Sequence, residues 1–208
     1  MKKQVIVIHG GDAFNTYKEY LAFLKNYEFN FEKLKIKGWK DALSEKLGKN
    51  FEVVLPKMPN SMNAKYSEWK IMFDKLLPFL ENNLVLVGHS LGGIFLAKYL
   101  SENKFPKKIL ATFLVAAPYN DKKSKHSLGD FVLPENLDKF QKQGGKIFIC
   151  HSQDDPYVPF ADFEKYKHAL PEAETMMFKN RKHFNQAEFP ELVGQIKKLY
   201  LFRKLRYS

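Results

Sequence analysis

The chain is poor in several residues and motifs, and each shortage excludes a class of protein. One cysteine in 208 residues leaves no internal disulfide and no cysteine-built zinc site. A reducing, cytoplasmic setting is the expectation. Cys150 ends the apolar run from Lys146, where a buried structural thiol is expected rather than a nucleophile. The longest apolar runs, such as Leu84 to Val87 and Ile109 to Ala117, are far too short for a membrane span. Met1-Lys2-Lys3 precedes an apolar patch, but His9-Gly10-Gly11-Asp12 breaks it before an export signal forms. No H-E-x-x-H, G-x-x-x-x-G-K-[ST] or G-x-G-x-x-G is present, so neither metal nor cofactor is expected. Compact basic blocks are missing too. The net charge of +11 is spread along the chain, with its densest cluster at Lys197, Lys198, Arg203, Lys204 and Arg206. That distribution predicts no specific nucleic-acid partner.

What remains is the profile of a globular chain: 45% hydrophobic, 27% charged and 15% aromatic. Residues 1–208 are expected to form one domain with a sizeable core. Short apolar runs at 4–8, 51–55, 84–88, 109–115, 146–150 and 174–178 read as strands. Most lack in/out alternation, which predicts burial on both faces, as in a parallel sheet. Between them lie helical patterns at about 14–28, 38–47, 65–80, 91–102, 135–143, 160–169 and 187–203. The strongest stripe is Trp69, Met72, Phe73, Leu76, Leu77 and Leu80. Such alternation predicts an α/β fold, a three-layer α/β/α sandwich around a mainly parallel six-stranded sheet. The connection at about 10–50 is oversized and holds two helices. Its aromatics Phe14, Tyr17, Tyr20, Phe23 and Tyr27 are expected to pack on the sheet, with a substrate wall or lid as the alternative.

The segment from Leu84 to Ile94 carries the chemistry. Gly88-His89-Ser90-Leu91-Gly92 is a G-x-S-x-G between an apolar strand and an apolar helix. In that setting the serine sits on a strained turn with its hydroxyl thrust outward, and the glycines leave room for the backbone to fold back. A serine needs a base to take its proton. The motif's chain order is serine, acid, histidine. Of six histidines, His183 lies in a polar loop after the last strand, whereas His126 and His151 precede the acid candidates and His168 falls within a helix. The acid is expected in Asp154-Asp155-Pro156-Tyr157-Val158-Pro159. Asp155 is preferred because Pro156 stiffens its turn; Asp154 is the alternative, left to cap or face solvent. After the first strand, His9-Gly10-Gly11 brings backbone close to the same edge. The N–H groups of Gly11 and Leu91 are the expected oxyanion donors, and His9 is expected to be structural.

These motifs, together with Lys182-His183-Phe184, resemble the α/β-hydrolase superfamily. More narrowly, they resemble the small serine hydrolases related to retinoblastoma-binding protein nine. Leu55-Pro56-Lys57-Met58-Pro59-Asn60 and the stretch Ser127 to Pro134 also look like that group. The resemblance implies strand order 2-1-3-4-5-6 with the nucleophile after the third strand. The expected activity is hydrolysis of a small or medium carboxylic ester, thioester or amide through an acyl-enzyme. Phe14, Tyr119 and Tyr157 are the expected substrate contacts, and a small acyl compound is the expected partner. The rival reading is a non-catalytic binding module on the same scaffold.

Overall fold

In a computed structural model of the chain, the backbone of residues 2–121 and 127–206 is described, with side chains except at 33, 34 and 202–206. His126 and the side chains of Arg203, Lys204 and Arg206 lie outside that set. Six strands form one sheet: β1 (Lys3–Ile8), β2 (Phe51–Val54), β3 (Leu84–His89), β4 (Ile109–Val115), β5 (Lys146–Ser152) and β6 (Glu174–Phe178). All neighbours pair in parallel, in the order β2-β1-β3-β4-β5-β6. Among the described residues, seven α-helices accompany it: α1 (Tyr17–Lys25), α2 (Trp39–Leu47), α3 (Tyr66–Leu76), α4 (Leu91–Glu102), α5 (Asp138–Gln143), α6 (Phe160–Ala169) and α7 (Pro190–Arg206).

The unbroken apolar runs divide by parity between two faces. Ile6, Ile8, Leu84, Leu86, Leu114, Ile147 and Ile149 share one core with Trp69 and Phe73 of α3, Phe95 of α4, Phe140 of α5 and Phe163 of α6. Val5, Val7, Val85, Val87, Phe113, Val115 and Phe148 share the other with Trp39 and Leu43 of α2 and Leu192 and Ile196 of α7. Cys150 lies in this second core. Burial pushes its thiol well above the ordinary range, so it stays protonated and inert. The edge strands β2 and β6 are the most exposed. No helix among the described residues is long and apolar enough to cross a membrane.

The chain order reverses direction across the sheet between β1 and β3, and in such sheets the crevice at the strands' carboxyl ends receives ligands. The loops after β1, β3 and β5 all reach that crevice.

The helix from the aromatic-rich segment departs from expectation. α1 spans only Tyr17–Lys25, begins with a capping box between Thr16 and Glu19, and buries none of its residues. Its aromatics meet one another instead of the sheet: Phe14 with Tyr20 and Phe23, and Phe23 with Tyr27. The face expected on the sheet looks into the crevice.

Candidate active site

Ser90 is built by compression. Immediately after β3, its backbone adopts φ 54° and ψ −123°, a conformation that costs a side-chain-bearing residue on the order of 1–3 kcal/mol. Hydrogen bonds hold it there: Ser90 N–H donates to Val115 at 2.8 Å, and its own carbonyl accepts from Gly93 at 2.8 Å. A Cβ on Gly88 would strike the backbone of Gly92 and Gly93, and one on Gly92 would strike the carbonyls of Ile8 and His9. The turn therefore closes only with glycine at both positions. Gly10 lies so near that an added Cβ would stand 3.0 Å from Ser90 Cβ. Ser90 is also the N-cap of α4, whose dipole places partial positive charge at this point.

His183 sits in a loop pinned from several sides. Lys182 and Phe184 on either side both have positive φ, 47° and 53°. His183 Nδ1 meets Asp155 Oδ2 at 2.8 Å, and the Asp155 side chain is only 1% exposed. The other Asp155 oxygen accepts from the amides of Tyr157 and Val158 at 2.8 and 3.0 Å. This fixes the carboxylate before it meets the imidazole. Asp154 is not idle in solvent. Its Oδ1 accepts from the Ser152 hydroxyl at 2.6 Å and the Lys182 amide at 2.9 Å, contacts that hold its carboxyl below the usual range. Two further donors hold the loop from beneath. Trp39 Nε1 donates to the Phe184 carbonyl at 2.8 Å, and His89 Nε2 donates to the His183 carbonyl at 2.8 Å.

The His89 contact also defines a tautomer. A carbonyl only accepts, so Nε2 carries the proton and Nδ1 presents a lone pair to Lys40 Nζ at 3.1 Å. Burial first, then the nearby Lys40 and His183, keep His89 well below the ordinary imidazole range. His9 is tied in a comparable way: Nδ1 donates to the Gly10 carbonyl at 2.6 Å, and Nε2 accepts from the Met58 amide at 2.9 Å. His9 thereby orients the Gly10–Gly11 peptide. Since a trans peptide directs its N–H opposite its carbonyl, the Gly11 N–H points away from His9.

Ser90, Leu91, Gly11, Asp162 and His183 line one cleft of about 940 Å³. Ser90 Oγ makes no hydrogen bond to the imidazole among the described residues; catalytic hydrogen bonds often tighten only with substrate bound. Phe14 and Tyr157 also line this cleft, joined by Ala22, Phe23 and Tyr27 of the α1 segment. Tyr119 does not line it. Asp162 Oδ2 accepts its amide at 3.0 Å, and its ring packs edge-on against Tyr166 at 4.9 Å, which draws it to α6. Among the described residues, no three His, Cys, Asp or Glu side chains converge as metal ligands do. The sequence reading missed Lys40, which also lines the cleft. Its signal was a lysine in the first turn of a helix, where a cation opposes the dipole.

A parallel sheet in this order with a serine elbow after its third strand defines the α/β-hydrolase fold. Solved structures agree. The ydeN gene product of B. subtilis superposes with a TM-score of 0.77 at 19% identity, covering 96% of this chain and 99% of that one. The thioesterase domain from the curacin biosynthetic pathway gives 0.58 at 14% identity, covering 97% and 91%. Within that fold the chain belongs to the serine hydrolase family, whose profile matches residues 31–196. It is 27% identical over 157 residues to Serine hydrolase RBBP9 of Rattus norvegicus, covering 72% of this chain and 78% of that protein. The protein is thus a serine hydrolase.

Proposed function

We propose that residues 1–208 act as one catalytic domain that hydrolyses a small or medium carboxylic ester through an acyl-enzyme. Ser90 is the nucleophile, His183 the general base and Asp155 the carboxylate that holds the imidazole. Ser90 Oγ attacks the carbonyl carbon while His183 Nε2 takes its proton. Gly11 and Leu91 N–H groups stabilise the resulting oxyanion; one such donor is worth roughly 10²–10³ in rate. The intermediate collapses, the ester C–O bond breaks, and His183 returns the proton to the departing alkoxide. Water, deprotonated by the same imidazole, then releases the acid and restores Ser90. Phe14, Phe23 and Tyr157 supply apolar walls for the acyl group.

The observation that carries this reading is the 2.8 Å contact between His183 Nδ1 and Asp155 Oδ2, in the cleft lined by Ser90. It leaves Nε2 available for a serine proton. The test is intact-mass analysis after exposure to a fluorophosphonate, with Ser90→Ala as control. A single adduct lost in the variant is expected. Equal labelling of the variant, or no adduct on folded wild-type protein, overturns the nucleophile assignment. Matched esters, thioesters and amides then decide the leaving group.

A further inference from the structure

Lys40 is placed where three separate physical effects disfavour an ammonium group. It occupies the first turn of α2, beside the positive end of the helix dipole. It is largely removed from water, and desolvation lowers its pKa to about 8. Its hydrogen-bond partner is the lone pair of a neutral imidazole, His89 Nδ1 at 3.1 Å, which brings no compensating charge. The charge of the neighbouring Asp41 offsets this only in part, since its Oδ2 accepts from the Gly38 amide at 2.9 Å and it makes no ion pair with Lys40. No carboxylate among the described residues lies within ion-pair distance of Lys40 Nζ. A buried cation without a counter-ion is costly to keep, and such groups concentrate at functional sites.

The cleft around it indicates the missing partner. Among the described residues that line it, Lys40 is the one lysine or arginine. The acids there have other engagements or lie outside ion-pair reach. Glu19 Oε2 accepts from the amides of Asn15 and Thr16. Asp162 is paired with Lys165 at 2.6 Å, and Asp12 forms no ion pair with Lys40. We propose that Lys40 binds a carboxylate carried by the substrate, making half-esters of dicarboxylic acids the preferred class. A monoanion balances one ammonium, whereas a dianionic phosphate would leave excess negative charge beside those acids. One ammonium proton already serves His89, and two remain for the ligand. The subsite rests on the proposed Ser90 chemistry, because it selects what reaches that hydroxyl.

The experiment compares kcat/KM for monoethyl adipate and ethyl hexanoate, which match in acyl-chain length and differ by one carboxylate. Wild type is expected to favour the half-ester. Lys40→Met is expected to lower that preference at least about tenfold, mainly through KM, as loss of a charged hydrogen bond implies. The ratio is internally controlled, since partial unfolding lowers both rates together. Lys40→Gln, which keeps a donor for His89, supplies the ratio if the Met variant does not fold. If turnover is undetectable, the same two compounds are compared as competitors of fluorophosphonate labelling. No preference in wild type, or an unchanged ratio in the variants, overturns the subsite. Ser90 labelling with equal competition overturns the subsite alone, whereas absent labelling overturns the nucleophile and the subsite with it.

Discussion

At the scale of single residues, chemistry and stability pull in opposite directions. Ser90 holds φ 54° because the turn demands it, so Ser90→Gly is expected to raise stability by about 1 kcal/mol. The same change removes the hydroxyl and is expected to abolish probe labelling; denaturant melts alongside labelling check both. Asp155→Asn should lower kcat by about 10⁴, the scale expected when an imidazole loses its orienting carboxylate. Asp154→Asn should cost less, because its contacts to Ser152 and Lys182 position the loop rather than the ring; kinetics on one ester separates the two. Lys40 predicts a pH effect on stability. Folding lowers its pKa to about 8 from 10.5, so between those values the unfolded chain holds a proton that the folded chain has released. Stability relative to Lys40→Met is therefore flat below pH 8 and climbs above it, by about 3 kcal/mol at most. Urea unfolding at pH 7 and pH 10 reads it. The strained turn at Ser90 and the meeting of His183 with Asp155 were legible because motif, loop position and chain order are local or linear features. Lys40 was not: its place in the first turn of a helix was the one local sign, and neither its burial nor its imidazole neighbour leaves a trace in its own segment.

Among the elements, the two helices of the long connection do different work. The aromatic spacing of α1 marks a single apolar stripe but does not say what that stripe faces. Sheet packing was the natural expectation; instead Phe23 and Tyr27 border the cleft. With no buried residue, α1 should open locally at little cost. Hydrogen exchange is expected to be at least about a hundredfold faster over Tyr17–Lys25 than over Leu91–Glu102. α2, by contrast, packs through Trp39, Leu43 and Leu47 and reaches the His183 loop. Trp39→Phe keeps an aromatic ring but strands the Phe184 carbonyl, which should cost about 2 kcal/mol and loosen residues 182–186. Thermal unfolding and exchange at those amides test this. The central strands were readable because a strand buried on both faces is apolar at most positions. Their order was not in the local pattern and came only through the family resemblance.

Across the whole molecule, two layers of helices and one sheet hold the site at the sheet's carboxyl edge, while the charge of +11 is dispersed. Dispersed charge gives weak association with polyanions that weakens steeply with salt. Binding to a generic duplex should vanish between about 50 and 200 mM salt in a titration. The contacts that pin the His183 loop span great lengths of chain: Trp39 and Phe184 are 145 residues apart, and His89 and His183 are 94 apart. Those spacings carry a meaning for biosynthesis. A ribosome releases the chain from its amino end, so the elbow serine emerges well before the imidazole and both of its carbonyl anchors can dock. On the proposed roles, the nascent protein carries the nucleophile before the proton acceptor that would arm it, and hydrolytic competence switches on when the segment around His183 closes onto α2.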